Sequence, residues 1–157
     1  GPMYCYYLRN AYLENRFRQP GALENCGVAV DLGKVALPAF ILATREDHIV
    51  PWRSAYLSTG LLGGHDKTFV LGASGHVAGV INPAKKNRRS HWTGEPRADP
   101  DEWLAQATEQ PGSWWPRWTQ WLARHAGGER KAPPAAGNVQ YRPIEPAPGR
   151  YVKQRIH

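Results

Sequence analysis

An unalternating apolar run, Ala39–Ala43, is the feature that most constrains the fold of this chain. A short run without intervening polar residues is typical of a strand buried on both faces, as in a parallel sheet. Pro51 suits the first turn of a helix that Gly63-Gly64 would end, and "KTFVLG" at 67–72 predicts a second strand. Strand, helix and strand in this order predict a βαβ unit, and therefore an α/β fold.

The rest of the chain predicts helices and a tail. Residues 4–17 show a four-residue repeat of apolar side chains, which favours a helix. Asp99 is placed to cap a further helix that would end near Pro111-Gly112, and Ser113 is placed to begin a tryptophan-rich helix. Residues 128–150 are rich in Pro, Gly and Ala, and predict an extended tail with no core of its own.

Two ionisable side chains follow the two predicted strands. Asp47 lies in "ATREDHIVPW" and His76 lies in "LGASGHVAGV". Loops at the carboxyl ends of parallel strands open on one edge of a sheet, and the order acid then histidine is that of triad enzymes with an α/β-hydrolase fold. We therefore interpret Asp47 and His76 as the acid and base of a triad. The alternatives are that Asp47 only caps the next helix and that His76 is an ordinary surface or core residue.

The nucleophile is missing from this pattern. Neither G-x-S-x-G nor G-x-C-x-G occurs in the chain, and Ser74 follows the acid instead of preceding it. Cys5 lies on a predicted helix and Cys26 lacks the upstream glycine. We expect the nucleophile on a segment outside this sequence. His48 is a weaker candidate that would orient a substrate group, and no HExxH or Cys/His cluster predicts a metal site.

Composition narrows the class of protein. With 157 residues, 41% of them hydrophobic and 21% charged, the chain is expected to be one globular domain without a membrane span. Its net charge of +7 fits phosphorylated substrates, anionic lipid or nucleic acid. No nucleic-acid-binding motif accompanies the basic residues, so we expect no nucleic-acid partner. The two cysteines and the absence of a secretory signal favour a cytoplasmic protein with reduced thiols.

Several long segments resemble one family. They are "MYCYYLRNAYLENRFRQPG", "VDLGKVALPAFILATREDHIVPW", "FVLGASGHVAGVINPAKKNRRSHW", "GSWWPRWTQWL" and "YRPIEPAPGRYVK". Together they are similar to the C-terminal part of a class I poly(3-hydroxyalkanoate) synthase over nearly the whole chain. The resemblance implies the C-terminal portion of an α/β-hydrolase fold. Residues 1–32 would be the end of a cap or lid, 33–127 the part of the core with acid and base, and 128–157 the extended tail.

The resemblance also implies an activity and its residues. The family joins (R)-3-hydroxyacyl groups from coenzyme A thioesters, here 3-hydroxybutyryl-CoA, into a polyester through a Cys-Asp-His triad. Its acid falls on Asp47 and its base on His76, while its cysteine lies upstream, so this chain alone is expected to be inactive. Coenzyme A enters as part of the substrate, and no cofactor is expected. The expected partners are the polymer granule surface and a second copy of the full-length enzyme, in the cytoplasm.

Two other features have competing interpretations. Lys85 and Lys86 lie in a basic segment after His76 and would bind coenzyme A phosphates, or they would simply be solvated. The tryptophans between positions 92 and 121 would pack on the core, or form a granule-facing surface on which Trp115 is the most exposed. Two alternative functions remain at this point: a lipase- or depolymerase-like hydrolase fragment, and a non-catalytic fragment that binds polymer or granules.

Overall fold

The structure, a computed structural model, describes residues 1–155. Residues 1–125 form one compact unit, which begins with helix α1, Pro2–Tyr7, and continues as a π-helical segment, Leu8–Leu13. The prediction of a helix over 4–17 is wrong at its C-terminal end. Asn15 adopts a left-handed conformation, with φ of 46°, which a continuous helix does not allow.

Besides three short 3₁₀ turns, the unit contains six strands and three further α-helices. In chain order they are β1 (Glu24–Asn25), β2 (Val28–Ala29), β3 (Ala39–Thr44), α2 (Trp52–Leu57), β4 (Lys67–Gly72), β5 (Ser90–Thr93), α3 (Pro100–Gln106), β6 (Thr108–Pro111) and α4 (Trp115–His125). β1 and β2 form a small antiparallel hairpin, and β3, β4, β5 and β6 form one sheet in that spatial order.

The predicted βαβ unit is confirmed. β3 and β4 run parallel in register, from Ala39 opposite Lys67 to Thr44 opposite Gly72, and α2 lies between them in the chain. Both apolar runs therefore end level with each other. This register places the loops that follow Thr44 and Gly72 side by side.

The other half of the sheet was not predicted. β5 pairs antiparallel with β4, and β6 pairs antiparallel with β5, from Ser90 opposite Pro111 to Thr93 opposite Thr108. The prediction that the helix after Asp99 reaches residues 111–112 is wrong, because α3 ends at Gln106 and the next residues join the sheet. Pro111 is tolerated because it occupies the last position of an edge strand. The fold is thus mixed α/β, with parallel and antiparallel pairs in one sheet.

Aromatic rings cover both faces of this sheet. On one face the ring of Phe69 in β4 makes edge-to-face contacts with Tyr56 of α2 at 4.9 Å and with Trp103 of α3 at 5.0 Å. On the other face Phe40 of β3 contacts Trp114 and Trp121, with ring centroids 6.2 and 5.7 Å apart. Burial of large rings is the main stabilising contribution that these residues make.

Both predicted helix caps are confirmed. The Asp99 carboxylate accepts hydrogen bonds from the N–H groups of Asp101 and Glu102, at 2.8 and 2.9 Å. Ser113 Oγ accepts from the N–H of Trp115 at 3.1 Å, at the start of α4. Each cap satisfies a backbone donor that the first helical turn leaves open, and a cap is typically worth about 1 kcal/mol.

The prediction that Trp115 is the exposed tryptophan is wrong. Trp115 is half-buried, and its indole N–H donates to the carbonyl of Val80 at 3.0 Å. Trp118, one turn further along α4, has 38% of its surface exposed. Most of the tryptophans therefore pack against the sheet and the loop before β5.

A second unit begins at Ala126. Its described residues are almost all exposed and lie in bends and turns, apart from a short 3₁₀ turn, Tyr151–Lys153. The domain boundaries expected at 32/33 and 127/128 stay predictions. Among residues 1–155, none of the helices combines the length and the apolar character that crossing a membrane requires.

Candidate active site

The structure brings Asp47 and His76 together at the carboxyl ends of β3 and β4. The Nδ1 atom of His76 lies 2.7 Å from Oδ2 of Asp47. The two loops are also tied by their backbones, because the N–H of Arg45 donates to the carbonyl of Gly72 at 2.8 Å and that of Glu46 to Ser74 at 3.0 Å. Strand pairing thus continues past the end of the sheet and delivers both side chains to one place.

The second oxygen of Asp47 is held by the backbone. Oδ1 accepts hydrogen bonds from the N–H groups of Ile49 at 2.8 Å and Val50 at 2.9 Å. Asp47 does not cap α2, whose N-cap residue is Pro51. The carboxylate therefore stabilises its own turn with one oxygen and contacts the histidine with the other.

These contacts keep Asp47 ionised. The hydrogen bond from the Val50 N–H, followed by those from His76 and Ile49, lowers the pKa of Asp47 from 3.8 to about 2, against the opposing effect of burial. Hydrogen bonds to the charged form of a carboxyl group favour that form. The side chain of Asp47 is only 8% exposed, so its carboxylate contacts these three partners and little solvent.

The pairing fixes which nitrogen of His76 is free. Because an ionised carboxylate only accepts hydrogen bonds, Nδ1 must carry the proton, and in the neutral ring Nε2 is then the basic nitrogen. The His76 side chain is 45% exposed, and Nε2 has no partner among residues 1–155. An imidazole held in this way can take a proton from a neighbouring donor through Nε2.

The other candidate residues lie near this pair in sequence without joining it. His48 is exposed, next to Asp47. Lys85 and Lys86 are exposed on the loop between His76 and β5. Within the described residues, no group of three or more His, Cys, Asp and Glu side chains is placed to hold a metal ion.

Sequence reasoning missed the backbone of the site. The amides of Ile49 and Val50 leave no side-chain signature, although an Asp two or three residues before such amides is a common turn former. The sequence does not predict the role of Gly79 either. A Cβ atom at Gly79 would lie 2.5 Å from Cγ2 of Thr44 and 2.6 Å from the carbonyl of Ala73, so only glycine fits between the loop and β3.

We predict that the carboxyl group of Asp47 titrates near pH 2. Since its pKa is lowered by folding, its ionised form stabilises the folded chain above about pH 4, and this contribution is lost as the pH falls to about 2. The ¹³Cγ chemical shift of Asp47, followed between pH 7 and pH 1.5, measures the midpoint. A midpoint at or above the usual value of 3.8 would contradict the hydrogen-bonding pattern.

Comparison with known proteins shows which family the chain is similar to. The chain is 58% identical over 156 residues to the poly(3-hydroxyalkanoate) polymerase subunit PhaC of Cupriavidus necator, which covers 99% of this chain and 26% of that protein. It is 43% identical over 153 residues to the protein of that name from Rhizobium meliloti, covering 97% of this chain and 24% of that protein.

A third relative, poly(3-hydroxyalkanoate) polymerase 2 of Ectopseudomonas oleovorans, is 42% identical over 143 residues, covering 90% of this chain and 25% of that protein. The chain thus spans about a quarter of the length of these relatives. No protein-family model matches it. On the strength of these three alignments, the chain belongs to the poly(3-hydroxyalkanoate) polymerase family.

Proposed function

We propose that this chain supplies the acid, Asp47, and the base, His76, of a Cys-Asp-His triad in a poly(3-hydroxyalkanoate) polymerase. One observation carries the proposal: the 2.7 Å contact between His76 Nδ1 and Asp47 Oδ2, made at the ends of two parallel strands. The relatives that match the chain are themselves named as polymerases of this kind. The third member, a cysteine, would come from a segment that precedes this sequence in the longer protein.

The sheet supports placing the chain as the C-terminal portion of an α/β-hydrolase fold. Among the described residues, β3 pairs with β4 alone and its other edge is open, although its residues are apolar. An open, apolar, parallel edge strand is an unusual end for a sheet. In the proposed arrangement, further parallel strands of the polymerase continue the sheet beyond β3, and one of them ends in the turn that carries the cysteine.

The first half of the reaction forms an acyl-enzyme. Nε2 of His76 takes the proton of the cysteine thiol, because the thiolate is the attacking form. The thiolate attacks the carbonyl carbon of the hydroxyacyl-CoA thioester, and the bond from that carbon to the coenzyme A sulfur breaks. Coenzyme A leaves as a thiol after it receives the proton held on His76. Asp47 stabilises the imidazolium that exists between these two transfers.

The second half lengthens the polymer. A hydroxyl group of the next hydroxyacyl unit, or of the growing chain, attacks the acyl carbon bound to the cysteine. Its proton moves to Nε2 of His76 as the new ester bond forms and the carbon–sulfur bond breaks. The cysteine is released and recovers its proton from His76. The same pair of residues thus serves both halves, with no cofactor in the proposed scheme.

The remaining expectations belong to this proposal. The substrate would be an (R)-3-hydroxyacyl-CoA, with the 3-hydroxybutyryl thioester as the specific expectation. Lys85 and Lys86 would bind its phosphates, and His48 would orient a substrate group. The enzyme would act as a homodimer at the surface of polymer granules in the cytoplasm.

We predict that His76→Gln and Asp47→Asn each lower kcat of the polymerase that contains this chain by about a thousandfold. The first change removes the base, and the second leaves the imidazole without the partner that sets its tautomer. Initial rates of coenzyme A release measure the effect. His65→Gln, at an exposed histidine before β4, is the matched control and keeps the wild-type rate.

Two outcomes would redirect the proposal. Unchanged turnover in both variants would favour a non-catalytic binding fragment. Loss of activity in both variants, together with full resistance to thiol alkylation, would favour a serine nucleophile and hence a hydrolase. Loss of activity together with alkylation of a cysteine outside this chain is the result expected for the polymerase.

We predict that reversing the charge of Lys85 and Lys86 together raises KM for the acyl-CoA about tenfold and leaves kcat unchanged. One charge-assisted hydrogen bond to a phosphate is worth about that factor in affinity. Arg130→Glu combined with Lys131→Glu, at two exposed residues of the second unit, controls for the same change in net charge. An unchanged KM would remove the two lysines from the binding site.

A further inference from the structure

We propose that Trp114 and Trp115 are positioning residues for His76, which they hold in register with Asp47 through their indole N–H groups. The inference rests on the proposed function, since it assigns the two tryptophans to the base of that reaction. It concerns the segment Gly112–Trp115, here called the clamp segment, which joins β6 to α4.

The loop that carries His76 is stabilised by few contacts of its own. After Ala73, whose N–H donates to the carbonyl of Ser90, the chain leaves the sheet. Within the loop, the N–H of Gly79 donates to Gly75 at 2.8 Å, and that of Ile81 to Val77 at 2.9 Å. These are isolated turns. Short turns with exposed backbones open easily unless other parts of the molecule hold them.

Two indole groups bind consecutive carbonyls of this loop. Nε1 of Trp114 donates to the carbonyl of Gly79 at 3.1 Å, and Nε1 of Trp115 donates to the carbonyl of Val80 at 3.0 Å. Adjacent residues of the clamp segment therefore bind adjacent residues of the loop. A displacement of the loop by one residue, or a rotation of its last turn, would break both hydrogen bonds together.

The rest of the clamp segment extends this contact toward β5. Ser113 Oγ donates to the carbonyl of Asn82, and the N–H of Ser113 donates to Oδ1 of Asn87 at 2.9 Å. The N–H of Gly112 donates to the carbonyl of Arg89 at 2.6 Å. Five hydrogen bonds thus join four residues of the clamp segment to the stretch from Gly79 to Arg89.

Gly79 transmits this restraint to Asp47. It lies directly against Thr44, where a Cβ atom would come within 2.5 Å of Cγ2. The carbonyl of Thr44 in turn accepts the N–H of Asp47 at 3.2 Å. Gly79 lies three residues after His76. The hydrogen bond from Trp114 therefore holds Gly79 against the end of β3, the strand that precedes Asp47. Close packing of this kind leaves the loop little freedom to slide.

Ring burial alone does not account for these hydrogen bonds. Trp121, on the same helix, also packs on Phe40, yet its buried Nε1 has no hydrogen-bond partner among residues 1–155. The indoles of Trp114 and Trp115 are distinguished by their acceptors, both of which lie on the loop of His76. This difference supplies a matched control, because Trp→Phe at position 121 removes a ring and an N–H from the same cluster without touching that loop.

The test uses the polymerase that contains this chain, with Trp114→Phe, Trp115→Phe and Trp121→Phe made singly. We expect the first two to lower kcat about tenfold with KM unchanged, because a small misplacement of a reacting group is costly. Trp121→Phe is expected to keep the wild-type kcat. Thermal unfolding midpoints identify loss of folded enzyme, and the half-buried Trp115 remains informative if the Trp114 variant fails to fold.

A double-mutant cycle separates positioning from general destabilisation. If Trp115 acts through the His76–Asp47 pair, Trp115→Phe lowers kcat about tenfold in the wild type but less than about twofold in an Asp47→Asn background. Equal losses in both backgrounds, or a Trp115→Phe enzyme that behaves like Trp121→Phe, would overturn the inference. Full activity of Asp47→Asn and His76→Gln would instead refute the proposed function itself.

Discussion

The hydrogen bond between Nδ1 of His76 and Oδ2 of Asp47 is the interaction on which the proposed chemistry depends. It exists because the parallel strands β3 and β4 end level, with Thr44 opposite Gly72. The loops that follow the two strands are joined to each other by backbone hydrogen bonds. The same contact sets the tautomer of the imidazole and leaves Nε2 as its basic atom. The register of the two strands therefore determines which nitrogen of His76 is basic.

The electrostatics of the pair follow from its surroundings. The amides of Ile49 and Val50 hold Asp47 in its ionised form and orient its carboxylate. On the other side, the loop of His76 is bound by Trp114 and Trp115. In the proposed triad, acid and base would each be fixed by groups that do not react, which is the pre-organisation that catalytic pairs require.

How far the sequence predicts the fold varies from element to element. The apolar run from Ala39 and "KTFVLG" gave β3 and β4 because strands buried on both faces have a simple pattern. β5 and β6 were not predicted, because they are short and polar at several positions. Their strand pairing depends on contacts between distant parts of the chain. Asp47 and His76 stood out through their place after the strands. The hydrogen bond from the Trp115 indole could not be predicted, because a helical repeat of tryptophans does not indicate a carbonyl acceptor far away in the sequence. The prediction that Trp115 is exposed was therefore wrong.

In the proposed triad, His76 faces a cysteine supplied by another part of the polymerase. The most direct measurement is the distance from Nε2 of His76 to the nearest cysteine sulfur in a crystal structure of a polymerase that includes this chain. We expect about 3 to 4 Å, with the Asp47 contact retained on the opposite nitrogen. A structure with no cysteine near Nε2, or with a serine hydroxyl in its place, would contradict the proposed triad.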